Sequence, residues 1–138
     1  MSSVDDFFEE YRATFARYDA DALAALFAFP FQAVSATDDG ATVTVSGSVD
    51  EWRPVLEGLL SMYRTLGVAE GEPLELEATQ LTPQTASARV HWELRREDGS
   101  AIYDFTAVYT LARTDGDWKV AAIVHDELPK LQAALASG

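Results

Sequence analysis

Cysteine is absent from this chain of 138 residues. Its absence excludes a disulfide framework, a thiolate nucleophile, and a zinc or iron–sulfur site held by cysteine. Histidine is nearly as rare, since only His91 and His125 occur, and they lie too far apart to match a metal-binding motif. The sequence also lacks a glycine-rich phosphate loop, a nucleophile elbow and a calcium loop. We therefore expect no metal and no cofactor.

Long apolar runs and basic residues are also scarce. No stretch of about 18 apolar residues could span a membrane, and residues 1–6 lack the basic start and apolar core of a signal peptide. The 10 basic residues stand against 23 acidic ones, which gives a net charge of −13. This charge repels nucleic-acid backbones and anionic lipids, and it favours solubility or adaptation to salt. We expect a cytoplasmic protein that binds neither nucleic acids nor membranes.

Apolar residues are present in ordinary amount, at 48% of the chain. The length matches a single domain, so residues 1–138 are predicted to share one core. Apolar residues recur at helical spacing in the first half of the chain and at a period of two in the second half. This order predicts an α+β fold with helices first and a curved sheet after them.

Capping patterns mark the predicted helices. Ser3 with Asp6 begins the first helix, which has an aromatic stripe, and Asp19 or Asp21 caps a short second helix that ends at Pro30. Ser48 begins a third helix, and Gly67 ends it. Pro54 is expected either to kink the first turns of this third helix or to mark its true start. A final short helix is predicted over residues 129–136.

The predicted strands are separated by turn signals. A short hairpin is expected first, with strands at residues 31–36 and 42–45. After Gly71, the alternation predicts four strands, two of which meet at Glu97-Asp98-Gly99-Ser100 and two at Asp115-Gly116. Leu74, Leu76 and Ala78 are expected on a buried face.

This order of elements, with the segments 21–27 (DALAALF) and 115–123 (DGDWKVAAI), resembles the nuclear-transport-factor-2-like superfamily, which includes the SnoaL-like polyketide cyclases. The resemblance covers essentially the whole chain. It implies N-terminal helices packed in the concave face of a strongly curved mixed or antiparallel sheet, a barrel or cone of the cystatin-like type. It also implies a ligand cavity between helices and sheet, and a homodimer formed through the outer sheet face. The superfamily hosts both enzymes and non-catalytic proteins, so the fold alone does not assign a function.

Three residues are candidates for catalysis. Asp104 lies mid-strand between aromatic residues, where a buried carboxylate needs a partner or a proton; a cross-strand pair with arginine is the structural alternative. His125 follows the last predicted strand and suits either a catalytic or a strand-end role. Tyr11 is similar in position to a helix-one tyrosine that stabilises an oxyanion in the steroid isomerases of the superfamily, or it is a core aromatic residue. His91 is interpreted as part of a surface cluster.

The resemblance to the steroid isomerases is incomplete. Those enzymes carry an acid on their first strand, and the comparable stretch here is Phe31-Gln32-Ala33-Val34-Ser35. Val108 lies near the place of their second acid. These departures argue against isomerase chemistry.

Aromatic residues dominate the expected cavity lining. The candidate ligand-binding residues are Phe15, Phe31, Trp52, Tyr63 and Tyr109, with ordinary core packing as the alternative interpretation of each. The leading hypothesis is a domain that binds a small apolar molecule. The alternatives are a cyclase, dehydratase or isomerase using acid/base chemistry, and a non-catalytic dimerisation or assembly subunit.

Overall fold

The computed structural model describes residues 3–137. Met1, Ser2 and Gly138 lie outside the described residues. The expectation about a signal peptide concerned residues 1–6, so it falls partly on residues that the structure does not describe. The elements follow in the order α1 (Val4–Ala16), α2 (Ala20–Ala24), β1 (Phe27–Thr37), β2 (Gly40–Ser46), α3 (Val49–Leu66), β3 (Glu70–Thr82), β4 (Thr85–Arg95), β5 (Ala101–Thr114), β6 (Asp117–His125) and α4 (Glu127–Ser137). Helices and strands therefore form an α+β fold, as predicted.

The helix starts agree with the capping patterns. Ser3 and Asp6 form a reciprocal capping box on α1, and the side chain of Asp19 caps α2 by accepting from the Ala22 amide at 3.0 Å. Ser48 caps α3, and Gly67 ends it in the left-handed conformation at φ 78°. Pro54 lies inside α3 and does not mark its start.

The second helix is much shorter than predicted. It ends at Ala24, and Phe27 already begins β1, so Pro30 lies within a strand and does not terminate a helix. Pro30 is tolerated there because it is exposed and lies where the pairing of β1 with β6 shifts register, between Phe27 and Gln32, so its missing amide proton breaks no ladder hydrogen bond. The error arose because the alanine-rich segment before Phe27 has high helix propensity.

The six strands form one mixed sheet in the order β2-β1-β6-β5-β4-β3. All neighbours are antiparallel except β1 and β6, which pair in parallel. The sheet is open, with β2 and β3 as its edges, so the expectation of a cone is met without closure into a barrel.

One face of the sheet packs against the helices and forms the core. Alternate residues of β4 and β5 point into it, and they are almost fully buried: Ala86, Ala88, Val90, Trp92, Leu94, Phe105, Ala107, Tyr109 and Leu111. Strand β3 differs from its prediction, because Leu74 is 47% exposed and Ala78 is also exposed. An edge strand has a neighbour on one side only, so its alternation does not imply burial on either face.

The outer face carries four adjacent valines on four neighbouring strands, here named the valine stripe. Val43 pairs with Val34, Val34 with Val124, and Val124 with Val108. Three of them are substantially exposed, at 59% for Val43, 52% for Val124 and 39% for Val108. The next row on the same face, Val45, Gln32, Ala122 and Thr110, carries no charge.

Within residues 3–137, no helix combines the length and apolar character needed to cross a membrane.

Candidate functional site

A cavity of about 120 Å³ lies between the helices and the inner face of the sheet. Its wall is largely aromatic and aliphatic, and it includes all five predicted ligand-binding residues, Phe15, Phe31, Trp52, Tyr63 and Tyr109. The rings pack on one another, with Phe31 and Trp52 centroids 4.5 Å apart and Tyr11 and Phe15 centroids 5.1 Å apart. These residues both build the core and line the cavity, so the two interpretations of them are compatible.

Residues of α3 line the cavity along its length. Trp52, Leu56, Leu59 and Tyr63 all contribute, and their spacing places them on one face of the helix. Trp52 and Tyr63 are eleven positions apart in α3, which corresponds to about 16 Å along the helix axis. The end of the lining at Trp52 and the end at Tyr63 are therefore far apart.

The predicted catalytic tyrosine lies beside a buried hydrogen bond. Nε1 of Trp92 donates to Oη of Tyr109 at 2.8 Å, and the rings of Tyr109 and Tyr11 pack edge to face with their centroids 5.7 Å apart. Burial raises the pKa of both tyrosines, so both stay protonated at neutral pH. Tyr11 lines the cavity.

The main polar group of the cavity is Glu127, which the sequence analysis did not select. Its side chain lines the cavity and the residue is only 8% exposed. Oε2 accepts hydrogen bonds from the hydroxyls of Tyr63 and Tyr103, the latter at 2.7 Å. Burial raises the pKa of the carboxyl, although the two hydrogen bonds oppose this shift. No lysine or arginine of the described residues forms a salt bridge with it.

The start of α4 holds Glu127 in place. The neighbouring Asp126 is tied to β5 twice, because its carboxylate accepts from the Thr106 amide at 2.8 Å and its amide donates to the Thr106 carbonyl at 3.2 Å. Glu127 is the first residue of α4, where the helix dipole favours a negative charge. The acidic pair Asp126-Glu127 between the last strand and an apolar helical pattern was the available signal.

His125 also lines the cavity. Its Nδ1 accepts from the backbone amide of Glu127 at 3.2 Å, so the neutral ring carries its proton on Nε2. Burial lowers the pKa of the imidazole, which keeps the ring neutral at pH 7. A neutral imidazole and a buried carboxyl therefore lie two positions apart at the same end of the cavity.

Asp104 is the predicted catalytic residue that the structure places elsewhere. It does not line the cavity, and its side chain is 54% exposed on the outer sheet face, where Oδ2 lies 2.6 Å from Nε2 of His91. This hydrogen bond lowers the pKa of the Asp104 carboxyl. Asp104 and Tyr103 alternate along β5, so the tyrosine points inward and the aspartate outward. Asp104 is thus separated from His125 and Tyr11 by the sheet.

The cavity reaches the surface beside α1 and the start of β3, where the lining residues Ala16 and Glu70 are exposed. Arg12 also lines this end, and it is paired with Glu72 at 2.5 Å. Arg12 is the one lysine or arginine among the described residues of the lining, and because this pair neutralises its guanidinium, the cavity disfavours an anionic ligand.

Trp52 has a hydrogen-bonding group without a partner. Its Nε1 is buried and forms no hydrogen bond. Within residues 3–137, Nε1 of Trp118 is the other buried side-chain nitrogen or oxygen without a hydrogen-bond partner. Trp52 lines the cavity and Trp118 does not. An unpaired buried donor costs about 1–3 kcal/mol, and this Nε1 atom is enclosed by protein although other atoms of Trp52 line the cavity.

The described residues 3–137 contain no group of three or more acidic or histidine side chains placed to hold a metal ion. Besides Arg12 and Glu70 at the entrance, the polar side chains of the lining are the tyrosine hydroxyls, the His125 imidazole and the Glu127 carboxyl. They can bind and orient a ligand, and they can move a proton.

An open mixed sheet that encloses a cavity with its helices defines the NTF2-like class, which has a cystatin-like fold. The family model described as NTF2-like protein (DUF6841) matches residues 2–128, and the chain belongs to this family. None of the curated proteins compared with the chain matches it.

Solved structures with the same fold share little sequence with the chain. An NTF2-like protein with a cystatin-like fold from Novosphingobium aromaticivorans has 19% identity and a TM-score of 0.66, with coverage of 95% of this chain and 83% of that one. A provisionally described aromatic ring hydroxylase from the same organism has 20% identity and a TM-score of 0.63, covering 91% and 86%. A provisionally described scytalone dehydratase, also from that organism, has 16% identity and a TM-score of 0.63, covering 88% and 79%. At such identities the likeness shows the fold alone.

Proposed function

We propose that this protein binds a small, uncharged, mainly apolar molecule in the cavity between its helices and its sheet. The observation that carries the proposal is a ring-lined space of about 120 Å³ that side chains leave unfilled. Close packing normally fills such a space, and apolar cavities of this kind favour apolar guests.

The size and charge of the cavity restrict the ligand. An engineered apolar cavity of about 150 Å³ in another protein accepts benzene, so a single small ring is the expected scale. An anion is disfavoured by Glu127, by the paired state of Arg12 and by the net charge of −13. The neighbours described as a ring hydroxylase and a scytalone dehydratase are consistent with ring-shaped ligands.

Binding is tested with benzene as the probe, followed by NMR and by thermal unfolding. We expect saturable shifts of signals from the aromatic side chains of the lining and a rise in the melting temperature with benzene concentration. The matched control is Leu56→Trp, which adds volume to a cavity-lining residue and should abolish these shifts. If the wild-type protein shows no saturable shift, the proposal is wrong.

A second candidate function is acid/base catalysis, and Glu127 favours it. Of the described residues it is the one buried carboxylate, and burial raises its pKa towards neutrality, as in many general acids and bases. Glu127 here takes the place predicted for Asp104, with His125 sharing the acid/base work and the hydroxyl of Tyr11 or Tyr63 donating a hydrogen bond to the substrate.

Proton abstraction can be tested without knowing the substrate. Cyclohexanone is incubated with the protein in deuterated water, and the exchange of protons next to its carbonyl is followed by NMR. Exchange above the buffer rate that disappears in Glu127→Gln and persists in Asp104→Asn would support this function. Equal exchange in wild type and Glu127→Gln would exclude Glu127 as the base.

We also propose a homodimer formed through the valine stripe. In a chain with a net charge of −13, copies repel each other, and a contact surface free of charge adds the least to this repulsion. The valine stripe and the uncharged row beside it provide such a surface, and a two-fold dimer places the same surface on both copies.

A further inference from the structure

The carboxyl of Glu127 uses only one of its two oxygens within the protein. Oε2 accepts hydrogen bonds from the hydroxyls of Tyr63 and Tyr103. Oε1 forms no hydrogen bond and no ion pair within residues 3–137, yet it is not sealed off by protein as the two unpartnered indole nitrogens are. Because Glu127 as a whole is only 8% exposed, Oε1 is a buried acceptor without a partner that a small molecule can still reach.

The surroundings of the carboxyl place this oxygen at the cavity. Glu127 is part of the cavity wall. Burial raises the pKa of Tyr11, Tyr63 and Tyr109, and the negative charge of Glu127 raises the pKa of each of these hydroxyls further. The three tyrosines line the cavity from α1, α3 and β5. The carboxyl therefore lies close to hydroxyls that belong to three different elements of the wall.

We infer that Glu127 selects ligands whose small ring carries a hydroxyl or an amine, by accepting the hydrogen of that group on Oε1. The inference rests on the proposed function, because it assigns the polar contact of the ring bound in the same cavity. A ring hydroxyl gives Oε1 the partner that the protein does not supply. A hydrocarbon ring leaves Oε1 unpaired, and a ring ether places one acceptor against another.

The other polar side chains of the lining favour such a ligand less. Nδ1 of His125 already accepts from the backbone amide of Glu127, so the neutral ring offers a ligand only its Nε2 proton. Arg12 is also a donor, and it is paired with Glu72. Glu70 is an acceptor, but it is exposed at the entrance, where water competes for its oxygens. The free oxygen of Glu127 is thus the acceptor that gains most from a ligand hydroxyl.

The test compares phenol with toluene, in which a methyl group of similar size replaces the hydroxyl. Mildly alkaline pH favours the ionised carboxyl and leaves phenol uncharged, as it does tyrosine. The stronger hydration of phenol cancels when the phenol-to-toluene affinity ratio is compared between variants. We expect Glu127→Gln to lower this ratio about 10-fold, the effect of one hydrogen bond to a charged group. The amide oxygen of the glutamine can still accept from Tyr63 and Tyr103, so the amide nitrogen, a donor, takes the place of Oε1.

Asp104→Asn is the matched control. It makes the same chemical change and removes the same charge, but Asp104 lies on the outer face of the sheet and does not line the cavity. We expect its phenol-to-toluene ratio to equal that of the wild type.

The wild-type protein gives a second measurement that does not depend on how a variant binds. In protein labelled with ¹³C at the glutamate carboxyl carbon, the Glu127 signal is the one missing from the spectrum of Glu127→Gln. We expect phenol to displace this signal saturably, and by more than the ring-current effect that toluene produces.

The outcomes separate this inference from the proposed function. If neither phenol nor toluene binds the wild-type protein, the proposed function fails and the inference falls with it. If both bind but displace the Glu127 carboxyl signal equally, the inference alone is overturned. The same holds if the preference for phenol is kept in Glu127→Gln and lost in Tyr11→Phe.

Discussion

The most unusual single residue is Glu127, a buried carboxylate whose hydrogen-bond donors are neutral. Two tyrosine hydroxyls replace the arginine or lysine that usually accompanies a buried acid. Such an arrangement lowers the stability of the folded state when the carboxyl is ionised. Residues of this kind cluster at functional sites, which agrees with its position in the cavity wall.

Replacing Glu127 with glutamine should stabilise the protein most at neutral pH. Because burial raises the pKa of Glu127, the folded protein takes up a proton at higher pH than the unfolded chain does. The free energy of unfolding of the wild type therefore rises as the pH falls through the folded pKa, until the unfolded carboxyl is also protonated. Glu127→Gln lacks this contribution, so its advantage over wild type should shrink towards about pH 4.

Urea unfolding of both proteins from about pH 7.5 to about pH 4 measures this difference. His125 acts in the opposite direction, since burial lowers its pKa and stability is lost as the pH falls below the ordinary value of 6.5. His125 is present in both proteins, as are Asp126, Tyr63, Tyr103 and Tyr11 around the carboxyl, so their contributions largely cancel. A stability difference that stays constant across this pH range would contradict the prediction.

The sequence indicated which side chains line the cavity better than which of them are polar and functional. The spacing of Phe15, Trp52 and Tyr63 on helices predicts an inward face, and that inference needs only local geometry. The pairing of Glu127 with tyrosines on α3 and β5 depends on contacts between distant parts of the chain, which local patterns do not contain. Asp104 was misplaced although its alternation with Tyr103 and Phe105 already put it on the other face.

Among the elements, α3 has the largest part in the site because it places both Trp52 and Tyr63. Two of its glycines offer a matched pair of substitutions. Gly58 lies exposed inside the helix and Gly67 ends it at φ 78°, and a methyl group added at either position would meet no atom within 4 Å. Any change in stability must therefore come from the backbone conformation.

We expect Gly58→Ala to stabilise the protein by about 0.5–1 kcal/mol, because glycine is unfavourable inside a helix. Gly67→Ala should destabilise it by about 1–2 kcal/mol, because alanine is strained in the left-handed region. Urea unfolding measures both effects, and each variant serves as the control for the other. Changes of the same sign would show that space, and not backbone conformation, decides the outcome.

Element boundaries were predictable where a side chain caps a helix and less so elsewhere. Ser3, Ser48 and Gly67 act within one turn of the chain, so their patterns are visible in the sequence. The end of α2 was misjudged because the choice between helix and strand at Phe27 depends on pairing with Val120 of β6. Propensity alone does not include that pairing.

At the scale of the whole molecule, the proposed dimer can be tested with one charge. Val124→Asp places a carboxylate in the middle of the valine stripe, between Val34 and Val108. Burying it against the same surface of a partner should weaken association about 100-fold or more. Sedimentation equilibrium of the wild type and the variant measures the change.

Leu81→Asp is the matched control for this substitution. Leu81 is 82% exposed and lies near the end of β3, far from the valine stripe in the strand order. We expect Leu81→Asp to associate like wild type. A wild-type chain that remains monomeric at millimolar concentration would refute the dimer.

The class of fold was predictable from the order of elements, and its open topology was not. Helices followed by hairpin-linked strands indicate an α+β fold, and short turns indicate antiparallel neighbours. The parallel contact between β1 and β6 joins Gln32 to Ala122, which lie far apart in the sequence. No turn motif in the sequence indicates a parallel pairing between such distant strands.

That parallel contact also orders events in time when the chain is synthesised. β1 and β2 meet the rest of the sheet only through β6, which occupies Asp117–His125. Until those residues leave the ribosome, the first hairpin has no place in the sheet, and Phe27 and Phe31 of β1 are not held against Tyr11 of α1 and Trp52 of α3. Apolar surface that stays uncovered until this late point in synthesis makes the incomplete chain prone to aggregation.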